Sequence, residues 1–111
     1  MVKVSALPST LPAAVAATQA LGGTLVARAG LGLAWIQLPA AAGGRDTAAV
    51  VETLRQRLAP APCVLLDAPA DVRAALDPWG DRTGPVGLMR KVKERFDPAG
   101  VCAPGLFVGG I

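Results

Sequence analysis

Histidine is absent from these 111 residues, and Arg28 is the one charged residue between Lys3 and Arg45. Without imidazole, Ser-His and Cys-His nucleophilic catalysis is excluded within the chain. An isolated guanidinium among uncharged residues suits a carboxylate, which its planar fork meets with two parallel N–H bonds. The plainer reading is an arginine that keeps a sheet surface soluble. Trp35 and Gln37 follow in an alternating segment, and Trp35 is either a stacking surface or a packing residue. Cys63 and Cys102 form no CxxC pair, so a zinc or haem site has no support, and they read as two buried free thiols in a reducing compartment. Gly30-Leu31-Gly32 and Gly109-Gly110 lack both the G-x-G-x-x-G spacing and a Walker lysine. No phosphate-cradling loop is present, no metal is implied, and the chain alone is expected to hold no cofactor.

These residues need a scaffold, and the periodicity supplies one. Val2 to Leu7 reads as a short strand ended by Pro8. Ser9 or Thr10 caps a helix whose small apolar face is made by Val15, Thr18 and Leu21 plus many alanines, ended by Gly22-Gly23. Thr24 to Ala29 and Leu33 to Leu38 read as strands joined by a Gly-containing hairpin turn, and Pro39 to Gly44 as a loop. Asp46 or Thr47 caps a second helix, with Val50, Val51, Leu54 and Leu58 at helical spacing, ended by Pro60 and Pro62. Cys63 to Leu66 is a buried strand, Ala70 to Leu76 a short helix, Asp77 to Asp81 a loop, and Val86 to Phe96 an amphipathic helix. The order β-α-β-β-α-β predicts an α+β fold of the ferredoxin-like split βαβ kind. That means a four-stranded antiparallel sheet with both helices on one face, plus a C-terminal helical extension. The reading is one domain over 1–111, with a core at 1–67 and an extension at 68–111. Strand alternation puts Lys3, Ser5, Arg28, Trp35 and Gln37 on the face away from the helices.

Hydrophobic residues make up 52% of the chain and charged residues 17%, with a mean hydropathy of +0.46. A domain this small should be more polar than average, so either a partner covers part of its apolar surface or the coding sequence favours Ala, Gly and Pro. The net charge of +3 is small, and four of the eleven cations cluster at Arg90, Lys91, Lys93 and Arg95. With two Trp, two Phe and no Tyr, no nucleic-acid partner is expected, and the cluster reads as a solvated helix face. The uncharged stretch Val4 to Ala27 is broken by Pro8, Pro12 and Gly22-Gly23, so no transmembrane segment or signal peptide is read there.

The C-terminal segment is the most specific. After Val86 to Phe96 come two tight turns, Asp97-Pro98-Ala99-Gly100 and Pro104-Gly105, and then an apolar tail. Pro98 and Pro104 fix φ, Gly100 and Gly105 allow positive φ, and Asp97 can bond backbone N–H groups of its own turn. The string L-M-R-K-V-K-E-R-F-D-P-A-G-V-C-A-P-G-L-F-V-G-G-I, Leu88 to Ile111, with Trp79-Gly80 as an outlying match, resembles the C-terminal end of FAD-linked oxidases of the vanillyl-alcohol oxidase type. It looks closest to the FAD-binding E-type subunit of bacterial glycolate oxidase. Many relatives have Asn-Pro-Gly and then a cation at the second turn, where this chain has Ala103-Pro104-Gly105-Leu106.

The resemblance implies a cap domain whose sheet roofs the flavin and shapes the pocket for a small 2-hydroxy acid, with Arg28, Trp35 and Gln37 as substrate-binding residues. It implies FAD in the complete protein, bound mainly by a domain N-terminal to these residues, so that this chain alone is inactive. Its partners would be that FAD-binding domain or subunit and other glycolate oxidase-type subunits. Its location would be cytoplasmic, with membrane association only through those partners. The competing expectation is a free-standing ferredoxin-like regulatory or protein-interaction module without catalytic activity.

Overall fold

The computed structural model describes residues 1–39, 46–80 and 84–111. Past Pro39, the expected loop to Gly44 lies outside the described residues, as does Asp81. The chain divides into two compact units, Met1–Gly80 and Asp81–Ile111. The short helix α3 (Ala70–Ala75) lies within the first unit.

In the first unit, strands β1 (Val2–Ser5), β2 (Thr24–Arg28), β3 (Leu33–Gln37) and β4 (Cys63–Leu65) form one sheet in the order β2-β3-β1-β4. All three pairings are antiparallel. Helix α1 (Leu11–Ala20) follows β1, and α2 (Thr47–Leu58) follows β3. This is the ferredoxin-like split βαβ arrangement: each crossover leaves room for one strand between the two it joins. Val2, Val4, Ala34, Ile36, Cys63 and Leu65 turn inward, against Ala14, Ala17 and Leu21 of the first crossover and Val51, Leu54 and Leu58 of α2. Val2, Ile36 and Leu54 are fully buried, each worth about 1.5–3 kcal/mol of transfer free energy.

Two local expectations change. Neither Ser9 nor Thr10 caps α1 with its side chain, because Pro8–Thr10 forms a 3-10 turn that runs directly into the helix with Thr10 already in helical geometry. On the inward face of α1, Thr18 and Leu21 are buried as expected, while Val15 is not. Ala14, Ala17 and Thr18 are buried, Val15 is exposed, and the Thr18 hydroxyl donates to the Ala14 carbonyl at 2.7 Å. Small alanines let the helix lie close to the sheet, which leaves the bulkier Val15 no place beneath it. On α2, Asp46 is the cap, accepting from the Ala48 N–H at 2.9 Å.

The β2–β3 hairpin closes through a 3-10 turn at Ala29–Leu31, ended by Gly32 in the left-handed region at φ 64°. The Gly32 carbonyl accepts from the Ala6 N–H at 2.8 Å, so this turn is bonded to the end of β1.

The outer edge of β4 is covered. The Arg55 Nε donates to the Cys63 carbonyl at 3.3 Å, and its Nη2 to the carbonyls of Asp77 at 2.7 Å and Pro78 at 3.2 Å. Its Nη1 pairs with Glu52 at 2.7 Å. The Leu65 N–H donates to the Pro78 carbonyl at 2.7 Å. Segment Asp77–Gly80 is thereby fastened along β4. Burial pushes the neighbouring Cys63 thiol up from its ordinary range, outweighing the opposing effect of the Arg55 cation.

The second unit holds α4 (Val86–Phe96) and the tail, with a 3-10 turn at Val108–Gly110. No helix among the described residues is long and apolar enough to cross a membrane.

Candidate functional site: the open sheet face and the C-terminal clasp

On the face of the sheet away from the helices, register fixes the neighbours. Trp35 stands between Lys3 on β1 and Val26 on β2. Leu33 stands between Ser5 and Arg28, and Gln37 pairs with Thr24. Directly opposed residues have Cβ atoms about 5 Å apart and diagonal ones about 7 Å. Arg28 is therefore a diagonal neighbour of Trp35, and Gln37 is its neighbour two residues along the same strand. Arg28 and Gln37 lie at opposite ends of the hairpin, four residues apart in register, or about 13 Å. One two- or three-carbon acid cannot touch both. Trp35 and Lys3 are half-buried, while Arg28 and Gln37 are exposed.

The four strands carry two cations and no acid. This face can attract an anion and offer it an indole surface. It holds no histidine and no carboxylate, so its own side chains provide position and polarity, with no general base among them. Val26 shares this face, 71% exposed and paired with Trp35. Only the register reveals that pairing.

The C-terminal residues gather on Asp97. Its Oδ1 accepts from the Val101 N–H at 2.9 Å and its Oδ2 from the Cys102 N–H at 2.9 Å. The Lys93 ammonium lies 2.5 Å from Oδ2 and also donates to the Cys102 carbonyl. The first turn closes by Gly100 N–H to Asp97 O at 3.0 Å, with Gly100 at φ 63°. In the second, Leu106 N–H bonds Ala103 O at 3.3 Å around Pro104, with Gly105 at φ 76°. The Arg90 Nη2 donates to the Gly109 carbonyl at 2.9 Å. Two of the four clustered cations, Arg90 and Lys93, therefore hold the tail against α4, which corrects the reading of a merely solvated face. Cys102 is exposed, not buried. Its backbone N–H and C=O are turned in toward Asp97 and Lys93, which leaves the side chain outward.

The hydrogen bond from Lys93, with those from Cys102 and Val101, holds the Asp97 carboxyl down from 3.8 to about 2. A depressed folded value means the contribution of this clasp is whole above the ordinary value and is lost as pH falls through the folded one. The Val101 and Cys102 amide signals are therefore expected to hold their folded shifts at pH 4 and to titrate with a midpoint near 2. In Asp97→Asn that titration is expected to vanish, with faster amide exchange at both positions at neutral pH. A midpoint near 3.8, the ordinary value, would show that the clasp is not formed.

Along α4, Leu88, Met89, Val92, Phe107 and Ile111 line an apolar groove of about 510 Å³ within the second unit. The chain matches no protein-family model, no curated protein and no solved structure.

Proposed function

We propose that this chain is the C-terminal cap or substrate domain of an FAD-dependent 2-hydroxy-acid oxidase of the glycolate oxidase type. The observation that carries the reading is the acid-free sheet face on which Arg28 lies diagonal to Trp35, on the side that the crossover helices leave uncovered. The Asp97-centred clasp supports it, because it folds the segment whose sequence resembles that family. In this reading Arg28 meets the substrate carboxylate and Trp35 forms an apolar wall. Gln37, about 13 Å from Arg28 along the hairpin, contacts a different part of the site or of the flavin-binding partner.

Among the described residues, the sheet offers no cradle for the phosphates of a flavin. At Gly32, the tightest glycine turn beside the sheet, the Ala6 carbonyl oxygen stands where a Cβ would, an acceptor that repels a phosphate oxygen. No step of flavin chemistry is assigned to this chain, and the cofactor belongs to the flavin-binding partner. Purified alone, the protein is expected to be colourless, with no FAD or FMN released on denaturation. A stoichiometric flavin spectrum would overturn this assignment.

Co-expression with the flavin-binding segment of a glycolate oxidase-type protein tests the function directly. The chain is expected to bind that segment and to restore glycolate-dependent dye reduction. A flavin segment that never binds it, or that reduces the dye equally well without it, rejects the reading. In the complete enzyme, Arg28→Lys is expected to lower kcat/KM for hydroxy acids by about 1.5–3 kcal/mol while leaving flavin content unchanged, since lysine keeps the charge but loses the fork. The loss should be smaller for a substrate lacking the carboxylate. Equal losses for both would return Arg28 to the role of a solubilising surface residue.

A further inference from the structure

The two edges of the sheet are finished differently. On β4 the outward C=O of Cys63 and the outward N–H of Leu65 are taken up by Arg55 and Pro78. The state of β2 follows from two bonds elsewhere in the sheet: Ser5 N–H to Pro62 O at 3.1 Å and Ala6 N–H to Gly32 O at 2.8 Å. In an antiparallel strand, both backbone groups of one residue leave toward the same side, and successive residues alternate. Val2 and Val4 therefore bond toward β3, and Leu33, Trp35 and Gln37 bond toward β2. Thr24, Val26 and Arg28 receive those bonds, which leaves the N–H and C=O of Leu25 and Ala27 directed outward. No described residue bonds to them.

Natural sheets protect such an edge with proline, a bulge, an inward charge or a covering element. Segment T-L-V-A-R carries one charge, Arg28 at its end, has no proline, pairs without a bulge, and leaves Val26 71% exposed at its centre. It is also self-complementary. In antiparallel pairing about a two-fold axis at Val26, Leu25 of one copy meets Ala27 of the other, and the reverse. Each such pair exchanges two hydrogen bonds, so four outward groups on each copy are satisfied. Val26 then faces its own counterpart as a non-hydrogen-bonded pair, where side chains stand closest. Arg28 falls opposite Thr24, so no like charges meet across the axis.

We propose that β2 is a homodimerisation edge, pairing with β2 of a second copy to make one continuous eight-stranded sheet centred on Val26. This inference does not rest on the oxidase reading, and it leaves the Arg28–Trp35 face uncovered. A single strand pair falls short of the area of a standard stable interface, so the dimer forms with rising concentration and separates on dilution.

Sedimentation velocity over about 5–500 µM tests the proposal by mass action. The wild-type chain is expected to shift from monomer toward dimer, with amide exchange at Leu25 and Ala27 slowing in step. Val26→Lys and Val26→Glu each bring like charges together across the axis and are expected to stay monomeric throughout. Because Val26 is exposed, circular dichroism should show both variants folded. Mixed, they are expected to recover the dimer as a heterodimer. A wild-type chain that is monomeric at every concentration overturns the proposal. A dimer that persists in Val26→Lys, or that forms with Leu25 and Ala27 still exchanging freely, overturns it as well.

Discussion

Gly32→Ala is expected to remove a large part of the stability of the first unit. An added Cβ would stand 1.9 Å from the Ala6 carbonyl oxygen and 3.1 Å from its carbon, both backbone atoms. Neither can move alone, since the Ala6 N–H is itself bonded to the Gly32 carbonyl at 2.8 Å. Gly32 also sits at φ 64°, where an L-residue carries a penalty of about 1–2 kcal/mol. Displacing packed backbone adds about 1–3 kcal/mol. The total of about 2–5 kcal/mol compares with the roughly 4–12 kcal/mol that holds a unit of this size together. Tm is expected to fall by about 10–30 °C. Gly30→Ala, two residues earlier, is the control: its Cβ meets nothing and its φ is not positive. If Gly32→Ala melts within about 2 °C of the parent, the turn does not close against β1 as described.

Arg55→Met is expected to release the segment that covers β4. The stem keeps its packing, while the carbonyls of Cys63, Asp77 and Pro78 lose a charged donor. A hydrogen bond to a charged group contributes about 1.5–3 kcal/mol, and leaving a partly buried acceptor unmet costs about 1–3. Because water reaches part of this site, a loss of about 3 kcal/mol is expected in a denaturant titration. The local readout is the Leu65 amide, bonded to Pro78 and expected to lose protection ahead of the core strands. Arg55→Lys restores the charge but reaches fewer carbonyls, so it should fall between the two. Unchanged Leu65 protection in Arg55→Met would show that the segment is held by other contacts.

The two variants mark where the sequence could and could not be read. Alternation in V-K-V-S and L-A-W-I-Q, with Pro and Gly between segments, was enough for the strand order and the inward face, because period 2 leaves one choice of side. Helix α4 was legible to its ends because Pro98 stops it. The face of α1 was legible only in part: Thr18 and Leu21 are buried, but among so many alanines only contact with the sheet selects Ala14 and Ala17 over Val15. Arg55 was invisible for another reason: its partners are carbonyls, and a carbonyl leaves no mark in a residue string. The same holds for Arg90 and Lys93, which looked like solvated cations until the tail was placed beside them. At the sheet face, alternation showed which residues share the surface. The distance separating Arg28 from Gln37, and the neighbourhood of Val26, needed the register.

The finished edge of β4 sets a limit on growth. A sheet with two open edges can add copies end over end without termination, and such assembly leads to filaments. A sheet with one edge covered by a segment of its own chain cannot: pairing through the other edge leaves only covered edges and stops at a closed pair. Arg55 and Pro78 would then act as a chain terminator, and the extent of assembly of this apolar protein at high concentration would depend on a guanidinium at the opposite edge of the sheet from Val26.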